Sequence, residues 1–302
     1  MSLGPRVLSR ADQLPSGNFL AALPVMPYPK SVLMCPPEYF DLVDVKNPYM
    51  KKHVGKLDGI KAREQWAEIK RCFEEIGVRV EVIPAAKDCE DMVFAANQIF
   101  AGLSADGDRV CMLSRMKFPS RQREVDHFAA WFKGKGYRVH EITAGKNFFE
   151  GGGDAIWHPG RGLIWGGYGV RSDAAIYPEI AVLFGVPVIT LELKHAHFYH
   201  LDTCFCPIDE TTALVHSPSL SETGQELIRA VFKNVVEVNE HEATECMACN
   251  ATAFGGKNVV MQRGAKRTVE SLRKLGFQVH ELETGEFMKS GGSVFCMKTA
   301  LF

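Results

Sequence analysis

The chain has 302 residues, of which 46% are hydrophobic, 24% charged and 10% aromatic, a composition typical of a globular protein and not of a disordered, collagenous or disulfide-scaffold chain. Lysine and arginine number 35 against 36 aspartates and glutamates, so the formal net charge of −1 offers no basic field for nucleic acid or an anionic membrane. No run of roughly 18 apolar residues occurs, so no membrane span is expected. The nine cysteines are odd in number and scattered, which favours buried thiols in a reducing cytoplasm over a disulfide framework.

The N-terminal segment carries no clear targeting signal. Residues 1–4 are interpreted as a leader left from expression, and the apolar run 19–26 is short and interrupted by Pro24, unlike a secretory signal. We therefore begin the fold prediction after this segment.

Five segments share one pattern, which is an amphipathic helix-like run, a Gly or Asn, and a short alternating run. Gly or Asn suits a helix C-cap, because the left-handed conformation costs these residues least, and the alternating run indicates a strand. No such unit can bury its apolar face alone, so the repeat predicts one α/β domain of radially arranged units. An ordinary α/β protein with helix–Gly–strand junctions is the alternative. The five cap positions are Gly77, Gly136, Gly185, Asn234 and Gly276, which are 59, 49, 49 and 42 residues apart.

A polar or Gly-rich stretch with chemically capable side chains follows each predicted strand. If these equivalent stretches face a common axis, their side chains converge on one pocket. The side chains are Asp91 and Asn97, Glu150 and Asp154, His200 and Asp202, Cys249 and Asn250, and Cys296.

Two of these stretches suggest covalent catalysis. Cys296 follows Gly291 and Gly292, which allow a tight turn and the close approach of a ligand. A thiol there acts as a nucleophile if a nearby cation or base lowers its pKa, and a buried structural cysteine is the alternative. His200 and Asp202 would share one face of a strand, where the carboxylate could orient the imidazole. The alternative is a satisfied structural histidine.

The acids Glu150 and Asp154 flank three glycines. Flanking acids disfavour a phosphate and favour a cation, most simply a guanidinium. An acidic turn in solvent is the alternative, against which the apolar neighbours argue. A zinc site is disfavoured, because Cys-x-Cys at 204 and 206 is a poor partner for Cys-x-x-Cys at 246–249. A Rossmann-type dehydrogenase lacks its Gly-x-Gly-x-x-Gly segment.

Taken side by side, these segments resemble the pentein superfamily of amidinotransferases and amidinohydrolases. The resemblance is strongest to its dimethylarginine dimethylaminohydrolase-like and arginine-dihydrolase-like branch, and it runs from about residue 31 to 302. The motifs that carry it are Met34 to Asp41 with Asn47 to Met50, Asp91 to Asn97, Phe149 to Asp154, Trp165 to Ser172, Phe198 to Phe205, and Gly291 to Cys296.

The resemblance implies an α/β fold, a five-bladed propeller with pseudo-fivefold symmetry, over 31–302, with 1–30 as an N-terminal extension. That extension would be a flexible arm, a leader remnant or an interface segment. The resemblance also implies Cys296 as nucleophile, His200 as acid and base, and Glu150 as a carboxylate for the guanidinium. Further substrate contacts are implied for Asp202 near the guanidinium, for Arg121 and Arg171 at the α-carboxylate, and for Asn97, Asp154, Tyr199 and Asp91.

The implied reaction is hydrolysis of the guanidinium group of arginine or an arginine derivative through a covalent amidino-thioether. No metal or organic cofactor is expected, and the partner is a small guanidino molecule, with homo-oligomers as an option. Asn97 favours a second hydrolysis, because an amide can donate a hydrogen bond to a ureido oxygen. The alternatives are an amidinotransferase, in which an amine resolves the intermediate, and a non-enzymatic pentein binding module.

Overall fold

A computed structural model of the chain describes residues 3–195 and 197–302 and places its strands in five small sheets. The strands are β1 (Val7–Leu8), β2 (Ser31–Met34), β3 (Arg79–Val82), β4 (Ile99–Leu103), β5 (Arg109–Leu113), β6 (Arg138–His140), β7 (Ala155–Trp157), β8 (Ile164–Tyr168), β9 (Val188–Glu192), β10 (Phe205–Pro207), β11 (Thr212–Val215), β12 (Asn234–Glu237), β13 (Thr252–Phe254), β14 (Asn258–Gln262), β15 (Gln278–Leu282) and β16 (Thr299–Leu301). The helices are α1 (Gly59–Glu75), α2 (Pro119–Gly134), α3 (Tyr177–Phe184), α4 (Glu222–Val231), α5 (Glu240–Glu245), α6 (Lys266–Lys274) and α7 (Gly285–Met288).

All five sheets contain the same unit. An inner strand pairs antiparallel with a middle strand, and the middle strand pairs parallel with an outer strand that is reached through a helix. The chain end completes the first sheet, because β16 pairs antiparallel with β2, which pairs parallel with β3. The five predicted helix-to-strand repeats are therefore present in an α/β fold. They are α1 to β3, α2 to β6, α3 to β9, α4 to β12 and α6 to β15.

Four of the five predicted caps adopt the left-handed backbone conformation that favours glycine. Their φ angles are +85° at Gly77, +78° at Gly136, +70° at Gly185 and +92° at Gly276. The prediction for Asn234 is wrong, since Asn234 begins β12 and pairs with Thr212. Helix α4 ends instead at an extended, buried residue 232, which turns the chain directly into the strand.

The described part of the predicted N-terminal extension packs against the sheets. Strand β1 pairs parallel with β9 through Val7 and Val188, and Phe19 and Leu23 are buried in the same core cluster as Trp165. Residues 1 and 2 lie outside the described residues. Among the residues described, no helix combines the length and the apolar character that a membrane crossing requires.

Apart from Arg121, which is in α2, and Arg171, which follows β8, the predicted site residues lie in equivalent connections, each running from the outer strand of one sheet to the inner strand of the next. The two glycine-rich connections need their glycines. Gly151 has a φ of +55°, and a Cβ there would lie 2.6 Å from the Asn97 carbonyl oxygen, while a Cβ on Gly292 would overlap the Phe94 ring. The connections span residues 83–98, 141–154, 193–204 (with 196 undescribed), 238–251 and 283–298.

Candidate active site

The five connections bond to one another in a closed circle. Each contributes a hydrogen bond to the next, so the side chains that the sequence analysis grouped are held in one layer. The bonds run from Gly152 N to Ala96 O (2.7 Å), from Leu201 N to Asp154 Oδ1 (3.0 Å), from Asn250 Nδ2 to Asp202 O (3.1 Å), from Phe295 N to Asn250 O (3.1 Å) and from Ala96 N to Cys296 O (3.0 Å).

Cys296 lies in this layer as a buried thiol between an acid and an amide. Its Sγ is 3.2 Å from Asp202 Oδ2 and 3.2 Å from Asn250 Nδ2. Asn250 Oδ1 also accepts a hydrogen bond from the Cys296 backbone N–H at 3.3 Å, which fixes the turn that carries the thiol. Burial and the neighbouring Asp202 carboxylate raise the pKa of Cys296 well above its usual value. The unliganded site therefore holds a protonated sulfur that donates to Asp202.

Glu150 and His200 form a buried pair at the same level. His200 Nε2 and Glu150 Oε2 are 2.7 Å apart, and the same oxygen accepts a hydrogen bond from Arg171 Nη1 at 2.8 Å. The other oxygen, Oε1, accepts from the Lys117 backbone N–H at 3.0 Å. Burial by itself would raise the pKa of Glu150, but Arg171 and the His200 hydrogen bond outweigh it and hold that pKa well below its usual range. Glu150 is thus an ionised carboxylate that orients an imidazole.

Two sequence-based expectations need correction. His200 is not in a strand shared with Asp202, because Leu201–Thr203 forms a single turn of 3-10 helix. The turn rotates Asp202 away from the imidazole and toward Cys296, so the acid that orients His200 is Glu150. Glu150 consequently has both oxygens engaged by protein groups and is not left free for a substrate guanidinium.

Asp154 serves the surrounding structure and does not line the cavity described below. Its Oδ2 accepts from Ser172 Oγ at 2.6 Å and its Oδ1 accepts from the Leu201 backbone N–H. Burial, opposed by the charge of His200, raises the pKa of Asp154 to about 6. Asp154 therefore joins its own connection, 141–154, to the connection 193–204 through the hydrogen bond from Leu201.

A small cavity opens in front of the thiol. Arg121 contributes its guanidinium, which donates to Asn97 Oδ1 at 3.0 Å and to Glu124 Oε2 at 3.0 Å. Arg171 stacks between two aromatic rings, with its Cζ 4.8 Å from the Tyr199 centroid. The residues that line the cavity are Lys46, Asn47, Met50, Asp91, Phe94, Asn97, Arg121, Arg171, Tyr199, Ser290 and Cys296.

Two buried polar atoms of this layer have no hydrogen-bond partner among the described residues. They are the amide nitrogen Nδ2 of Asn97 and the carboxylate oxygen Oδ1 of Asp202. A buried polar group without a partner costs about 1–3 kcal/mol, so such atoms are commonly reserved for a ligand. One donor, on Asn97, and one acceptor, on Asp202, are thus free among the predicted site residues.

The sequence analysis assigned no role to three polar residues that line the cavity, namely Lys46, Asn47 and Ser290. Lys46 Nζ lies 3.0 Å from Asp91 Oδ2, and the Lys46 carbonyl accepts from Arg171 Nη2 at 2.8 Å. Asn47 Nδ2 donates to the Ser290 carbonyl at 2.8 Å. The Asn47-Pro48 pair is a recognisable start of a helical turn, whereas nothing in the sequence around Lys46 signals a buried lysine.

The nine cysteines are free and buried. Across residues 3–195 and 197–302, no three His, Cys, Asp or Glu side chains converge in a way that could hold a metal ion.

This α/β arrangement, with a buried thiol in the last of five equivalent connections, places the chain in the pentein superfamily. Within it, the chain belongs to the family described as N,N dimethylarginine dimethylhydrolase, eukaryotic, which matches residues 36–302. Both the superfamily and the branch predicted from the sequence are therefore confirmed.

Named relatives share this match over most of the chain. The bifunctional arginine dihydrolase/ornithine cyclodeaminase ArgZ of Synechocystis sp. is 36% identical over 269 residues, which is 88% of this chain and 37% of that protein. The N(G),N(G)-dimethylarginine dimethylaminohydrolase of Mycobacterium tuberculosis is 32% identical over 270 residues, covering 89% of this chain and 85% of that one. A crystal structure of the product-bound N-terminal domain of ArgZ is similar with a TM-score of 0.84 at 32% identity, covering 90% of this chain and 97% of that domain. The present chain thus spans little more than a third of the length of its bifunctional relative.

Proposed function

We propose that this protein is a cysteine-dependent hydrolase of the guanidinium group of arginine or an arginine derivative, with a covalent amidino-thioether on Cys296. The observation that carries the proposal is the Cys296 thiol, 3.2 Å from a buried carboxylate, on the wall of a cavity that Arg121 and Arg171 also line. The names of the relatives, an arginine dihydrolase and dimethylarginine dimethylaminohydrolases, support the same substrate class.

Substrate binding activates the thiol. A guanidinium that donates to Asp202 Oδ1 brings a positive charge next to Cys296, and a nearby cation favours the thiolate. The planar cation is held with its central carbon facing the sulfur, which replaces a bimolecular encounter with a fixed geometry. In this scheme Asp202 binds the guanidinium, and Glu150 binds His200.

The reaction then proceeds in two halves. The Cys296 thiol releases its proton to solvent, the thiolate attacks the guanidinium carbon, the bond from that carbon to the leaving nitrogen breaks, and His200 gives that nitrogen a proton. Neutral His200 next removes a proton from water as the water oxygen attacks the amidino carbon. The carbon–sulfur bond breaks, the sulfur takes the proton that the new hydroxyl group releases, the thiol is restored, and a neutral ureido product leaves. Glu150 keeps the imidazole oriented in both halves.

The other residues that line the cavity bind the rest of the substrate. Arg121 and Arg171 hold the α-carboxylate, and Asp91 and Tyr199 complete that end of the cavity. Asn97 directs the outcome, because its free Nδ2 donates to the ureido oxygen of the first product and retains it for a second hydrolysis. The end products from arginine would then be ornithine, ammonia and carbon dioxide.

We also propose that the five sheets are the blades of a propeller with pseudo-fivefold symmetry. The closed circle of hydrogen bonds between the connections supports this arrangement, as does the completion of the first sheet by the last strand. Residues 31–302 would form the single catalytic domain and 1–30 an extension that packs against it, in a cytoplasmic protein.

Turnover by two cysteine variants tests the proposal. We expect Cys296→Ser to abolish ammonia or methylamine release while retaining substrate binding, and Cys72→Ser, in helix α1, to retain turnover. The substrates are arginine, N-methylated arginines, agmatine and succinylarginine, each with and without an amine acceptor. Retained hydrolysis by Cys296→Ser would refute the proposal. Citrulline as the end product from arginine would refute the second hydrolysis, and transfer to the acceptor would identify an amidinotransferase.

A further inference from the structure

A second cavity, of about 110 Å³, shares no wall residue with the cavity in front of Cys296. One inner strand from each of the five sheets lines it, namely β4, β7, β10, β13 and β16. Ala96 and Gly152 also line it, and the hydrogen bond between them belongs to the layer that carries the catalytic residues. The second cavity therefore lies behind that layer, and residues 26–29 and Phe302 contribute to its wall.

The wall of this cavity is mostly apolar and aromatic. Tyr28, Trp157, Phe254, Phe295 and Phe302 supply rings, and prolines and alanines fill much of the space between them. Rings and prolines lose little conformational freedom when a ligand packs against them. A wall of apolar and aromatic side chains with few polar groups is typical of a site for a small molecule.

One charged side chain stands in this apolar wall. Lys298 is 7% exposed, and its Nζ lies 3.6 Å from the centroid of the Phe295 ring. No carboxylate within residues 3–195 and 197–302 forms an ion pair with it. An ammonium group in low-polarity surroundings is costly unless an anion or a hydrogen-bond acceptor meets it.

The charges around the cavity favour an anion. No Asp or Glu lines the wall, whereas the catalytic cavity has Asp91 on its own. Near the wall, Glu210 is already paired with Arg161 at 2.8 Å. A cationic or zwitterionic guanidino compound would find no partner for its positive group here.

We propose that this second cavity is a ligand site for a monocarboxylate with an aromatic or short aliphatic body, with the carboxylate bound by the Lys298 ammonium. The ring-lined wall holds the apolar body. The two cavities share no wall residue, so ligand binding at Lys298 and the reaction proposed for Cys296 can be measured separately.

Calorimetric titration of the full chain tests the proposal with 3-phenylpropionate as the probe and 3-phenylpropanamide as its uncharged match. We expect saturable binding of the acid, about tenfold or more tighter than the amide. Lys298→Met should weaken binding of the acid by a similar factor. Lys133→Met, on the exposed surface of helix α2, should leave the affinity for the acid unchanged. Ala300→Trp fills the cavity from β16 and should abolish binding while turnover of arginine continues.

The pH dependence of the affinity gives a second readout. Burial lowers the pKa of Lys298 to about 8, whereas burial keeps Cys206 a neutral thiol and His158 a neutral imidazole at pH 7. Tyr28 faces the cavity as a neutral phenol, and Asp202 and Cys296 act on Lys298 from the catalytic side. Binding of the acid should therefore weaken about tenfold or more between pH 7 and pH 9.5.

Three results would overturn the proposal. The first is equal affinity for the acid and the amide, and the second is an affinity that Lys298→Met leaves unchanged. The third is loss of acid binding when arginine saturates a Cys296→Ala variant, because the acid would then occupy the catalytic cavity. Loss of turnover on Cys296→Ser tests the reaction alone, so the two proposals can fail separately.

Discussion

At the scale of single residues, the resting thiol depends on Asp202. Burial raises the pKa of this carboxyl to about 7, and the hydrogen bond from Cys296 only partly offsets that effect. The acid is therefore easily protonated in the empty site and becomes a full anion when a cation arrives. Binding and thiol activation are linked through this one side chain.

Asp202 should make the unliganded protein less stable as the pH rises. Its folded pKa of about 7 lies above the ordinary value of 3.8, so its stabilising contribution is complete below about pH 4 and is lost as the pH rises through 7. The free energy of urea unfolding is measured at pH 4.5 and at pH 8. In Asp202→Asn, its decrease between these two pH values should be smaller than in the wild type by roughly 2–4 kcal/mol. Asp12→Asn, at an exposed site, serves as the control. Identical pH profiles for wild type and Asp202→Asn would show that Asp202 titrates normally.

Glu150 should act on the rate and not on binding, because it contacts His200 and Arg171 rather than the cavity. Glu150→Gln keeps the shape but removes the negative charge that faces the imidazole. We expect kcat to fall by about 10²–10⁴ with KM changed by much less, measured by steady-state kinetics with arginine. A matching rise in KM with kcat preserved would instead make Glu150 a substrate carboxylate.

At the scale of elements, the turn before Cys296 is built around a missing side chain. A Cβ at Gly292 would overlap the Phe94 ring, which is itself packed edge-on against Phe40. Gly292→Ala should therefore cost about 1–3 kcal/mol of stability and displace the thiol. Thermal unfolding and the rate of Cys296 alkylation measure the two effects.

Gly134→Ala is the matched control for that substitution. Gly134 ends helix α2 with open space around its Cα, so alanine there should be neutral or slightly stabilising. If Gly292→Ala behaved in the same way as Gly134→Ala, the turn would not depend on close packing.

The helices and strands also show which parts of the fold local sequence patterns can predict. Helix, glycine and strand follow one another with a clear periodic signal, so four caps and all five repeats could be predicted. The prediction that Asn234 caps helix α4 failed, because asparagine suits a cap but the helix already ends at the buried Phe232. His200 and Asp202 were predicted to share one face, because a 3-10 turn of three residues leaves no periodic signal in the sequence. Partners such as Lys46 and Asp91 are brought together by tertiary packing, which local patterns do not encode.

At the scale of the whole molecule, the chain ends are part of the architecture. Residues 299–301 complete the first sheet, and residues 7–8 extend another. The site in the five connections is therefore supported by sheets whose strands come from both termini.

Deletion of residues 1–30 should destabilise the protein. It exposes a strand edge on β9 and removes the buried side chains of Leu8, Phe19 and Leu23, each worth about 1.5–3 kcal/mol of burial. We expect a lower midpoint in calorimetry with turnover retained below it, because no residue of the catalytic layer is lost. An unchanged midpoint would show that the segment packs without stabilising the fold.

The most direct test of covalent catalysis is the mass of the enzyme quenched in acid during turnover of arginine. If the sulfur at 296 is the nucleophile, the peptide that contains it will carry one amidino adduct, which Cys296→Ser abolishes. A fully active enzyme with no adduct, or with the adduct on a different residue, would contradict the mechanism.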